Sequence, residues 1–353
     1  MEVESPLPDD PPAANRLLEL PTSRLLRIGL AVAFLIAVGF VLWWRRGSLS
    51  AIGDAFAGVQ WIWVAVAIGF NLVSVVVRAL AWETVIHSAM EPPRPRAMLV
   101  FSAFSVGLFA NAVLPGRIGE LARVAVLTRK LPGRKGAWAT LVGTVFAHRI
   151  FDVIPVILLV LYVVATADIP TSVQASLIAV IVLGVALFVF ACISARRPGH
   201  HAIDELGPVR RLLAMGRAGL GVLRSLKAAA LAIFFQICGW LTQLFAVYTA
   251  MRAFGIHAPL PAAGLVLLLM NVVTIFPFWP GNVGLVQVAL ASALTTYGVP
   301  SAIGVAYAFG LQAIEASVGI GVGLIFLARE GLSVAMLRVM PEATQAELPE
   351  EAS

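Results

Sequence analysis

Residues 111–123 read Asn111-Ala112-Val113-Leu114-Pro115-Gly116-Arg117-Ile118-Gly119-Glu120-Leu121-Ala122-Arg123, an apolar run broken by proline and glycine and followed at once by charge. The break recurs: Pro115-Gly116-Arg117-Ile118-Gly119 is matched by Pro280-Gly281-Asn282-Val283-Gly284. Proline lacks an amide donor and clashes with the preceding turn. Glycine permits a sharp reversal and close backbone approach. A helix broken in this way frees backbone groups that must find partners in protein or in a wet cavity. The amides of the helix that follows each break suit an anionic group.

The surroundings of both breaks are apolar. The chain has 353 residues, 60% of them hydrophobic and 12% charged, with a mean hydropathy of +0.93. Soluble domains carry about 25% charged residues, so this chain cannot cover a water-facing surface and lipid is its solvent. Cys192 and Cys238 lie in apolar stretches and read as small hydrophobes, not as a disulfide or metal pair. No metal-ligating, nucleotide-binding or nucleophile-elbow motif is present. No metal, cofactor or nucleic acid is expected, and the chain is not expected to be an enzyme.

The expected architecture is all-α and polytopic. Runs of about 20 apolar residues span a bilayer, which gives six full spans: Leu25–Trp44, Trp61–Leu80, Ala137–Ala165, Ser172–Ile193, Ala228–Met251 and Ile303–Ala328. Two interrupted regions, around Ala97–Val113 and Leu260–Phe276, are expected as re-entrant hairpins. Residues 1–24 are acidic and proline-rich, expected as a disordered tail. Residues 25–328 form the transmembrane domain, in halves 25–166 and 172–328, with a basic linker at 194–227 and a tail at 329–353. Arginine and lysine concentrate at Arg117–Lys135 and Arg196–Lys227, which puts both segments and both termini in the cytoplasm. The first hairpin then opens inward and the second outward, an inverted repeat with broken helices at matching positions, as secondary transporters have. No soluble catalytic domain is expected in the short acidic end.

Charges within apolar stretches need a reason, since each costs roughly 2.5–3.5 kcal/mol at a helix centre on insertion scales. Arg117, Glu120 and Arg123 fall near one helix face, where Glu120 can pair with either arginine and leave the other for an anion. Arg149 and Asp152 form a second i, i+3 pair beside His148. Glu315, with Gln312, lies mid-span with no local cation. Arg78 is read as reaching lipid headgroups. Asn111 and Asn271, which precede the breaks, are read as partners for freed backbone groups.

These residues resemble a known family, the lysylphosphatidylglycerol synthase transmembrane region, also called flippase-like. The resemblance rests first on Asn111 to Arg123. It continues through Arg78-Ala79-Leu80-Ala81-Trp82, Arg149-Ile150-Phe151-Asp152 and the second break, and covers most of the chain. It departs at His148 and Gln287, where the family usually carries carboxylates. It implies transmembrane movement of lipids such as aminoacylated phospholipids or polyprenyl-linked glycolipids. Some relatives add a soluble aminoacyl-transferase domain; without it, lipid aminoacylation is not expected. The expected partners are membrane lipids and lipid-modifying or glycan-assembly enzymes acting on the same lipid, at the cell (inner or plasma) membrane. Headgroup contacts are assigned to Arg117, Glu120, Arg123, Arg149, Asp152 and Glu315. Two other readings stay open: a secondary transporter of a small polar solute, with Glu315 as its proton site, and, ranked last, a membrane-embedded glycosyl- or phospho-transferase.

Overall fold

The computed structural model describes residues 46–114, 118–131, 137–167, 169, 171–196, 225–275 and 282–332. Several sequence expectations lie outside those residues. They are the tail 1–24, the span Leu25–Trp44, Pro115, Gly116, Arg117, Pro280, Gly281, most of the basic linker and nearly all of the tail after Arg329.

Every described element is a helix. In chain order they are α1 (Arg46–Ala57), α2 (Trp61–Ala89), α3 (Ala97–Val113), α4 (Gly119–Arg129) and α5 (Ala137–Thr166), then α6 (Thr171–Arg196), α7 (Leu226–Ala253), α8 (Leu260–Val273), α9 (Leu285–Thr295) and α10 (Ser301–Arg329). Among the described residues, α2, α5, α7 and α10 are long and apolar enough to cross a membrane. Their 28 to 30 residues give about 42–45 Å of helix against a hydrocarbon core of about 30 Å. They match four of the six expected spans. Helix α6 occupies the stretch of a fifth, with Val182, Leu183 and Ile193 exposed. Outward-facing Val73 and Val76 on α2, Leu161 on α5, Phe234 on α7 and Ile325 on α10 give these helices apolar outer surfaces. Trp61, 75% exposed at the start of α2, sits where an interfacial tryptophan belongs.

The helices flanking the breaks are shorter. The 17 residues of α3 reach about 25 Å, the 14 of α8 about 21 Å, and the 11 each of α4 and α9 about 16 Å. Helix α4 folds back along α3, because Gly119 packs on Gly107 and Arg123, one turn on, reaches Phe104. A Cβ at Gly107 would stand 2.8 Å from the Gly119 carbonyl oxygen, so only glycine allows this approach.

Helix pairings in the two halves correspond. The contacts α2–α3, α3–α4, α4–α5 and α2–α5 are repeated as α7–α8, α8–α9, α9–α10 and α7–α10. Contacts between halves correspond too: α3–α10 with α8–α5, and α2–α10 with α7–α5. At the centre α2 and α7 run antiparallel. The Gln60 amide at the start of α2 donates to Ala253 O at the end of α7 (2.9 Å). Midway, the Ser74 hydroxyl donates to Gly239 O (2.9 Å). Ser74 and Gly239 are 165 residues apart, the spacing of the two breaks. A core of Trp82, Phe104, Phe109, Leu127, Leu141 and Phe326 packs α2, α3, α4, α5 and α10 together.

Candidate functional site: a cavity with charged lining flanked by both breaks

A cavity of about 600 Å³ lies among α2, α3, α4, α5, α7, α8 and α10, within the range of ordinary ligand sites. Asn111 and Gly119 line it from the first break, and Asn271, Thr274 and Val283 from the second. Its charged lining is Arg78, Glu120, Arg123, Arg149 and Glu315.

The first break is closed by Asn111, whose Oδ1 accepts the Gly119 amide at 2.9 Å. That is the role expected of it. Asn271 does otherwise: its Nδ2 donates to Leu267 O in its own helix (2.8 Å). At the second break the linking residue is Asn282, whose Nδ2 donates to Val273 O at 2.8 Å. Asn282 holds φ of 45°, a left-handed conformation asparagine tolerates. Gln287 Oε1 accepts the Gly284 amide (2.6 Å) and its Nε2 donates to Gln312. Gln287 is therefore a cap for the helix after the break.

Glu120 bridges two arginines, Arg123 on its own helix and Arg149 on α5. Arg149 also reaches Asp152 Oδ2 at 3.3 Å. Local spacing gives the Glu120–Arg123 and Arg149–Asp152 pairs, and tertiary packing joins them into one chain of alternating charge. Arg149 is half-exposed, whereas Arg123 is 3% exposed. Arg123 lies 4.5 Å over the Trp82 ring and 5.4 Å from Phe104, and its Nε has no hydrogen-bond partner. Cation–π attraction, worth about 2 kcal/mol or more when desolvated, holds it there.

One stripe of α5, Thr144, His148 and Asp152, fixes this geometry. Trp82 Nε1 donates to Thr144 Oγ1 (3.1 Å) and Trp240 Nε1 to Asp152 Oδ1 (2.9 Å). Between them, Gln236 Nε2 donates to His148 O at 3.1 Å. His148 is 2% exposed and meets Phe104 edge-on. Each tryptophan carries an arginine, since Arg78 sits 5.1 Å over Trp240. Arg78 thus lines the cavity instead of reaching lipid headgroups. The sequence alone does not reveal this, because its partner Trp240 comes from the other half. Glu315, on α10, accepts from Gln243 Nε2 at 2.8 Å.

The family model for the lysylphosphatidylglycerol synthase transmembrane region matches residues 28–323. The chain belongs to that family. It is also 25% identical, over 290 residues, to a UPF0104 membrane protein of Methanothermobacter thermautotrophicus, covering 76% of this chain and 83% of the relative. No solved structure matches it. It is an integral multi-pass membrane protein, and the four long apolar helices among the described residues fit that.

Proposed function

We propose that this family member moves phosphate-bearing lipid headgroups between leaflets through the cavity, and that it catalyses no covalent chemistry. The observation that carries the reading is Arg123: a buried guanidinium on an aromatic platform, with a free Nε, beside a headgroup-sized cavity. An arginine fork suits phosphate, and Glu120 and Arg149 give it a partly neutralised, polar rim. Asp152 orients Arg149 and Trp240, and Glu315 and Gln312 furnish polar groups on the opposite wall. The substrate class ranges over phospholipids and polyprenyl-linked lipids.

The short arms α3, α4, α8 and α9 and the antiparallel packing of equivalent helices α2 and α7 support two re-entrant hairpins in an inverted repeat. On this reading the domain runs 25–328, both termini lie in the cytoplasm and the membrane is the cell membrane. Native mass spectrometry of the purified full chain tests occupancy. A phosphate-bearing lipid should be retained by the wild type and depleted in Arg123→Gln. Equal retention by both would remove Arg123 from the site.

A second reading, secondary transport of a small polar solute, rests on Glu315, a cavity carboxylate whose hydrogen-bond partner is an amide and not a cation. It calls for solute uptake into vesicles with no exchange of lipid between leaflets.

A further inference from the structure

Arg78 is the strongest charged group in the cavity that no role above absorbs. It lies mid-helix on α2 and lines the cavity. Its aromatic platform, Trp240, belongs to α7. Its stem crosses Gly239, where a Cβ would stand 2.8 Å from Arg78 Cγ. Among the described residues its guanidinium makes no ion pair, and its Nε is buried without a hydrogen-bond partner. Asp152 is its strongest electrostatic counterweight, with Arg149 and Glu315 also acting on it. Both Asp152 oxygens are already engaged, one by Trp240 and one by Arg149. A guanidinium nitrogen buried without a hydrogen-bond acceptor is costly unless something else supplies one.

The place of Arg78 in the repeat matters as much as its lack of partners. Ser74, one turn earlier, touches its own repeat counterpart Gly239, so the pseudo-two-fold axis passes there. In an inverted repeat, a point on that axis is equally deep from either face. The residue 165 positions after Arg78 is Gln243, so the axis has an arginine on one side and a neutral amide on the other.

We propose that Arg78 is a second anion-binding residue, which takes phosphate oxygens of the headgroup at the midpoint of the passage. Arg123 holds the phosphate at the first break, and Arg78 holds it halfway. Trp82 is one turn from Arg78 on α2, so the two arginine–tryptophan stacks adjoin along the cavity wall. This inference rests on the headgroup reading given above.

The test is equilibrium binding of dihexanoylphosphatidylglycerol, and separately of inorganic phosphate, to the purified full chain in detergent. Arg78→Gln should weaken binding about tenfold or more, the usual effect of losing a charge-assisted contact. Arg78→Lys keeps the charge but not the fork, and should lose about threefold or more. Gly239→Ala leaves every charge in place but displaces the Arg78 stem, and should also weaken binding. Binding of the lipid alone identifies a headgroup site, and binding of phosphate as well a general phosphate site; either supports the assignment. If Arg123→Gln weakens binding while the Arg78 and Gly239 variants stay within twofold of wild type, Arg78 has no such role and the headgroup reading stands. If Arg78→Gln does not fold, Arg78→Lys and Gly239→Ala decide by the same criterion. No binding of either probe by the wild type overturns both readings.

Discussion

Replacing Gly119 by alanine sets packing directly against helix propensity. Alanine is favoured over glycine by up to about 1 kcal/mol inside a helix, and by less at a first position. Propensity alone therefore calls for slight stabilisation. The packing says otherwise. A Cβ at Gly119 would run into the Gly107 carbonyl oxygen and stand 2.6 Å from Asn111 Cγ. Ordinary contact begins near 3.4 Å, so α4 must retreat about 0.8 Å from Asn111 alone. Overpacking of this kind costs about 1–3 kcal/mol. The retreat also stretches the Asn111–Gly119 hydrogen bond, worth about 1 kcal/mol. Net destabilisation should be about 2–3 kcal/mol once the propensity gain is subtracted. The assay is thermal unfolding of the detergent-solubilised protein, with Gly321→Ala as control. A methyl group added at Gly321, on α10, would meet nothing within 4 Å, so its replacement should be neutral or stabilising. An unfolding midpoint for Gly119→Ala at or above wild type would refute the close packing of α3 and α4.

Gln287→Ala should cost about 1–3 kcal/mol, because it strands the Gly284 amide and removes one hydrogen bond from Gln312; the unfolding midpoint in detergent reads this. Trp82→Leu removes the platform under Arg123 and the donor to Thr144, and should weaken lipid binding as well as stability, measured by lipid titration and thermal unfolding. Glu330, just past α10, ties two arms together by accepting from Ser102 (2.7 Å) and pairing with Lys130 (3.0 Å). Burial pushes its carboxyl up, but Ser102, Lys130 and Arg329 outweigh burial and hold it below its usual range. Its contribution is therefore complete above the ordinary carboxylate value and lost as pH falls through the lower folded one. The midpoint difference between wild type and Glu330→Gln should be largest near neutral pH and shrink in acid; a difference independent of pH would refute the tie.

The long helices are legible in the sequence because apolar run length is a direct readout of bilayer thickness. The Glu120–Arg123 and Arg149–Asp152 pairs are legible because i, i+3 spacing puts both partners on one helix face. The Glu120–Arg149 bridge is not, since it joins α4 to α5. Gly107 carries no signal of its own; its need for a missing side chain arises only when Gly119 packs on it. Arg78 misleads for a related reason. A lone arginine on an apolar helix looks the same whether it turns to headgroups or to a tryptophan supplied by the other half. His148 and Gln287 stand where the family usually carries carboxylates. In the fold, His148 packs beside Phe104, and Gln287 caps the second break with the amide chemistry that a carboxylate would only partly supply.

The most direct test of lipid movement is leaflet exchange in proteoliposomes. Full-length protein is reconstituted into phosphatidylglycerol vesicles holding a fluorescent, headgroup-intact phosphatidylglycerol, and the inner-leaflet label is followed as it becomes accessible to an impermeant quencher. The expected result is rapid exchange with wild type and loss of most of it with Glu120→Gln and Arg123→Gln, both still folded. Wild-type vesicles no faster than protein-free ones, or folded variants as fast as wild type, would contradict the account.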